Sequence, residues 1–141
     1  MTDIYNLQRF LDAQDGVIEI VYRELSSGRK VSHWMWFVFP QIAGLGRSDT
    51  ARRFAISSRD EAVAYRDHPM LGGRLIRCTE LVNSVKSRTI EEIFGYPDDL
   101  KFHSSMTLFA VVSQDGSVFH KALAQYFDGN LDTLTVQRLS G

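Results

Sequence analysis

Along most of the chain apolar residues recur every three or four positions, and each such stretch is closed by glycine, proline or a short polar side chain. In "NLQRFLDAQ", Leu7, Phe10 and Leu11 share one helical face after Asn6. "DGVIEIVYRELSSG" continues with Val17, Val21, Tyr22 and Leu25; Asp15 is placed to cap its start and Gly28 to close its end. Ser48 is an N-cap candidate for "SDTARRF". Ser58 and Glu61 have capping-box spacing at the head of "SSRDEAVAYRDHP", where Pro69 ends that helix or begins the next. Leu71, Leu75, Cys78, Val82 and Val85 form a further helical stripe. Gly72 and Gly73 lie near its start, where they permit close approach of a neighbouring helix at a helix-weakening cost of about 1 kcal/mol each. Thr89 and Glu92 repeat the capping-box pattern, and Gly95 is a natural stop. Pro97 suits the first turn of "PDDLKFHSSMTLFAVV", with Asp98 and Asp99 near its positive end. Ser117 is placed to cap "VFHKALAQYFDG", which Gly129 ends, and "DTLTVQRL" supplies a short last helix.

"HWMWFVFPQ", His33 to Gln41, breaks this rhythm with six consecutive large apolar residues. Periodicity alone fits a buried strand as well as a buried helix. No hairpin signal or partner strand stands out elsewhere, so the expectation is a buried helix. Together these patterns predict an all-α fold: one compact multi-helix domain over residues 1–141, with short loops and no repeat, low-complexity tract or linker.

Composition narrows the function classes. The 44% apolar and 23% charged content suits a core-forming globular chain rather than a disordered one. A formal net charge of −1 supplies no general attraction to nucleic acid or anionic membrane, so neither is expected as a partner. There is no apolar run of the roughly 18 residues a membrane helix needs. "MTDIYNLQRF" is polar where a signal peptide is apolar, and one cysteine excludes an intrachain disulfide. The reading is a soluble, cytoplasmic protein, with Cys78 a small buried hydrophobe. His33, His68, His103 and His120 are far apart without paired-ligand spacing, so no metal or other cofactor is expected.

Two blocks concentrate polar groups beside apolar ones. In the first, Lys30, His33 and Gln41 flank Trp34 and Trp36, whose indole N–H groups need acceptors if buried. Downstream, "AGLGRSD" offers Gly44, Gly46 and Arg47 as an anion-binding turn, although a plain interhelical turn explains it as well. Arg47, Arg52 and Arg53 read as a solvated face. The second block is "DDLKFHSSMTLF". On a helix Asp98, Lys101 and Ser105 form a polar line, while Phe102, Met106 and Phe109 form an apolar one. A desolvated lysine can activate a hydroxyl. The plainer alternative is that Ser104, Ser105 and Thr107 bond backbone carbonyls one turn back.

Three stretches, "ELSSGRKVSHWMWFVFPQIAGLGRS", "EAVAYRDHPMLGGRL" and "IFGYPDDLKFHSSMTLFA", resemble a widespread microbial family known as a domain of unknown function, some of whose members carry a calpastatin label. The resemblance spans nearly the whole chain and implies a single all-α domain. It supplies no activity, substrate or catalytic residue. The calpastatin label finds no support, because that inhibitor is a disordered repeat protein and this chain is neither.

The preferred functional expectation is a cleft between the His33–Gln41 segment and the Asp98–Phe109 helix that binds a small anionic or nucleotide-like ligand. Whether it is catalytic is left open. Candidate ligand-binding residues are Lys30, His33, Trp34, Trp36, Gln41, Arg47, Arg74, Lys101, Ser104 and Ser105, the tryptophans offering a stacking face. The alternative is a non-catalytic protein-interaction domain with an exposed apolar patch away from His33 and Lys101. Whether His33, Gln41, Lys101 and Ser105 share one cavity discriminates the two.

Overall fold

Side-chain oxygens fix several of the helix starts. Ser48 Oγ accepts from the Ala51 N–H at 3.0 Å, Ser58 Oγ from Glu61 at 3.2 Å and Ser117 Oγ from His120 at 3.3 Å. Thr89 and Glu92 complete a reciprocal capping box, with N–H to oxygen distances of 3.1 and 2.8 Å. The computed structural model describes residues 2–140. Among them the order is α1 (Gln8–Gln14), α2 (Ile18–Ser26), α3 (Met35–Val38), α4 (Asp49–Arg53), α5 (Arg59–Asp67), α6 (Leu71–Asn83), α7 (Ile90–Phe94), α8 (Asp98–Val111), α9 (Val118–Phe127) and α10 (Thr133–Ser140). The fold is all-α, as the patterning predicts.

α8 is the central element, packed against α5, α7, α9 and α10. It is buried on most sides, from Phe102 through Ala110. Phe102 stacks on Phe94 with ring centroids 4.8 Å apart and takes Phe39 edge-on at 5.1 Å. Burying one such ring stabilises the fold by roughly 1.5–3 kcal/mol. Because α8 has so little solvent face, Ser104 and Thr107 bond the carbonyls of Leu100 and His103, each one turn back. A second layer joins α6 to α2, α5 and α9. Of the paired glycines only Gly72 is required there: a Cβ on it would lie 1.9 Å from the Arg66 carbonyl oxygen, whereas Gly73 faces open space.

Local expectations are corrected at three points. Asp15 does not cap α2; it closes α1 and pairs with Arg74 at 3.1 Å. Glu61 does not return to the Ser58 N–H. Its carboxylate accepts instead from Ser57 N–H at 2.8 Å and Ser57 Oγ at 2.7 Å, and pairs with Arg9 at 2.9 Å. "HWMWFVFPQ" is not a buried helix along its length. Helix persists for one turn, α3, and Phe39 leaves it at φ −121°, ψ 75°. The following Pro40 disfavours helical angles at Phe39 and ends the turn there. The chain then runs on to an isolated parallel bridge between Ile42 and Ile56, where Ile56 N–H donates to the Gln41 carbonyl and Ala43 N–H to that of Ile56, both at 2.8 Å.

Candidate functional site

The segment from Lys30 to Trp36 is held by one carboxylate. Glu24, on α2, accepts from the N–H groups of Val31 and Ser32 at 2.7 and 2.9 Å, from Ser32 Oγ at 2.6 Å and from Trp34 Nε1 at 3.0 Å. Burial alone would raise the Glu24 pKa; these hydrogen bonds outweigh it and bring the carboxyl down to about 2. Trp34 thereby satisfies its indole N–H while only 1% exposed. Two residues on, Trp36 lies on another side of the turn and is half-buried.

Lys30 is anchored to α7 by its backbone N–H, which donates to the Ile93 carbonyl at 2.7 Å. Its ammonium meets Asp98 Oδ2 at 2.8 Å and lies 5.1 Å from the Trp34 ring. The Lys101 ammonium, one turn along α8, meets Asp98 Oδ1 at 3.1 Å and sits 4.2 Å from the Trp36 ring. Each oxygen of Asp98 thus holds one ammonium, leaving the trio with one positive charge in excess. Burial opposes ionisation of Asp98, but hydrogen bonds from Lys30 and Lys101 outweigh it and hold the carboxyl below its ordinary value.

Three shallow grooves meet at Trp36. The first, of about 290 Å³, is lined by Lys30, His33, Trp36, Asp98 and Lys101, with Trp34 at its back. The second, of about 300 Å³, shares Trp36 and Lys101 and adds Gln41, Ser104, Asp132 and Leu134. The third, of about 220 Å³, takes Trp36 and Gln41 against the Gly44–Gly46 turn. Gly46 is required there, since a Cβ on it would lie 2.6 Å from Ala51 Cβ and 3.1 Å from Trp36 Cη2.

Lys30, His33, Trp36 and Lys101 therefore come together, while Gln41 and Ser104 lie in the second groove. His33 and Gln41 do not share a cavity; the Trp36 indole lies between theirs. Ser105 is fully buried, its Oγ without a hydrogen-bond partner among the described residues, and it lines none of the three grooves. Arg47 is exposed and lines none of them either. Arg74 lies elsewhere, bonded to Gln14 Oε1 at 3.2 Å and paired with Asp15. Burial removes Trp34 as a stacking face, and one face of Trp36 is covered by the Lys101 ammonium.

Two contributors escape sequence reasoning. Asp132, just before α10, accepts at Oδ2 from Ser104 Oγ at 2.8 Å and Thr135 Oγ1 at 2.5 Å. Its own N–H donates to Thr107 Oγ1 at 2.9 Å. Its place at the head of "DTLTVQRL" gives no sign of a partner 28 positions upstream. Glu24 likewise reads as an ordinary exposed residue of an amphipathic helix. His103 is fixed by stacking on Phe127 at 4.0 Å and by a 2.8 Å hydrogen bond between Nε2 and the Asn130 carbonyl. Among the described residues no three His, Cys, Asp or Glu side chains are grouped to hold a metal, and no helix is long and apolar enough to cross a membrane.

Fold and site together define a small all-α domain with a lysine-bearing, indole-partitioned groove system on one side of its central helix. Residues 4–139 match the family described as protein of unknown function DUF1810, and the chain belongs to that family. It is also similar to a solved structure, the conserved hypothetical protein Rv1873 from Mycobacterium tuberculosis, at 53% identity and a TM-score of 0.96, covering 99% of each chain. No curated protein matches it.

Proposed function

We propose that the protein binds a small anionic ligand in the groove between the His33–Gln41 segment and α8. The observation that carries this reading is the Lys30–Asp98–Lys101 trio, in which two ammonium groups share one carboxylate beside the Trp36 indole. The Lys30 and Lys101 side chains are only 7% and 21% exposed, so solvent screens their excess charge poorly. An anion entering the groove supplies the missing counter-charge and takes the ammonium hydrogens that Asp98 leaves free.

A melting curve with added inorganic phosphate tests this. Ligand at ten times its Kd stabilises the native state by about 1.4 kcal/mol. The expected result is a melting temperature that rises with phosphate in the wild type and not in Lys101→Met. No rise, or an equal rise in both, overturns the reading.

A further inference from the structure

We infer that the first two grooves form one bipartite site for a phosphate monoester of a hydroxylated ring, with the phosphate at Lys30 and Lys101 and the ring in the second groove against Asp132. This rests on the anion-binding reading above and names its ligand class. Continuity comes from Trp36 and Lys101, which line both grooves. A phosphate ion occupies one groove at most, whereas an ester adds a ring for the adjoining groove of about 300 Å³.

Charge sets the orientation. The first groove has two lysines against Asp98, whereas in the second Lys101 is offset by Asp132. The second carries the Asp132 carboxylate, which repels a phosphate and attracts a hydroxyl donor. Asp132 uses only Oδ2 for Ser104 and Thr135; Oδ1 accepts no hydrogen bond among the described residues. It is therefore available to a ligand hydroxyl, and the Gln41 side chain on the same groove adds a donor and an acceptor. Leu45, Leu100 and Leu134 line the same groove, the last two 51% and 61% exposed. Apolar walls with a few convergent polar groups suit a ring that presents carbon on its faces and hydroxyls at its edge.

Isothermal titration with inorganic phosphate, ribose and ribose 5-phosphate tests the assignment. In the wild type ribose 5-phosphate is expected to bind about tenfold tighter than inorganic phosphate, the gain of one charge-assisted hydrogen bond. Asp132→Asn weakens that bond, and Leu134→Trp fills the second groove from an exposed position. Both variants are expected to lose the advantage of the ester while binding inorganic phosphate as the wild type does. Lys101→Met loses both ligands. Should phosphate bind and the ester bind no tighter, or keep its advantage in both groove variants, the bipartite site is refuted and the anion site stands; should neither bind, both readings fall. If phosphate itself does not bind while the ester does, and Lys101→Met leaves the ester unaffected, both readings fall.

Discussion

Replacing Glu24 by alanine tests the idea that one carboxylate organises the wall of the groove. Four donors lose their acceptor. The backbone N–H groups of Val31 and Ser32 and the Ser32 hydroxyl lie where water can reach, since Val31 is 72% exposed and Ser32 is only partly covered. Trp34 Nε1 belongs to a side chain 1% exposed, and leaving such a donor unpaired costs about 1–3 kcal/mol. With the weaker loss at the loop, Glu24→Ala should destabilise the fold by about 2–4 kcal/mol, and Glu24→Gln, which keeps one acceptor, by less. Urea unfolding followed by far-ultraviolet circular dichroism at neutral pH measures this directly. The pH dependence supplies an independent check. The folded-state carboxyl lies near 2 against an ordinary 4.5, so its ionised form stabilises the native state. That contribution is fully present above about pH 4.5 and is lost as pH falls towards 2. The gap between wild type and Glu24→Ala should therefore narrow over that window. A loss under about 1 kcal/mol with a gap constant in pH would refute the reasoning.

Other residues allow sharper contrasts. Gly72→Ala places a methyl against the Arg66 carbonyl and should cost at least about 2 kcal/mol by chemical denaturation, while Gly73→Ala, in open space, should be neutral or stabilise by up to about 1 kcal/mol. Asp98→Asn strips the carboxylate from two ammonium groups and should cost about 3 kcal/mol; phosphate should then raise the melting temperature of this variant more than that of the wild type. Burial pushes the Cys78 thiol up to about 12, so Ellman's reagent at pH 8 should leave the native protein unmodified and titrate one thiol in urea.

Helix caps were legible because they are local: Ser48, Ser58, Thr89 and Ser117 act within three residues of themselves. The central place of α8 was not legible: its alternating polar and apolar residues read as a two-faced helix, whereas Ser104, Ser105 and Thr107 are buried along with its apolar residues. Contacts set by tertiary approach were not legible. Asp15 has the right identity and position for a cap, yet Arg74 from α6 claims it. Glu61 has the right spacing for a box, yet Arg9 and Ser57 hold it. The "HWMWFVFPQ" run misled because six apolar residues mask the effect of Pro40, which cuts the helix to a single turn. At the candidate site Lys30, His33, Trp36 and Lys101 were nameable from two dense blocks. Ser105 was nameable too, but burial sets it apart, and Asp132 depends on a meeting of α8 and α10 that no local pattern encodes.

The contrasting burial of the two tryptophans has an optical consequence. Trp34 is sealed in the core with its N–H on Glu24, so its emission should lie to the blue and move strongly to the red when the chain unfolds. Trp36 is half-exposed at the junction of three grooves with an ammonium 4.2 Å from its ring, a position that quenches or shifts its emission as solvent and charge around it change. With Trp36 replaced by phenylalanine, the remaining fluorescence comes from Trp34 and reports chiefly the integrity of the core. The difference from wild type then isolates a built-in probe of what enters the grooves, and no external label is needed to follow it.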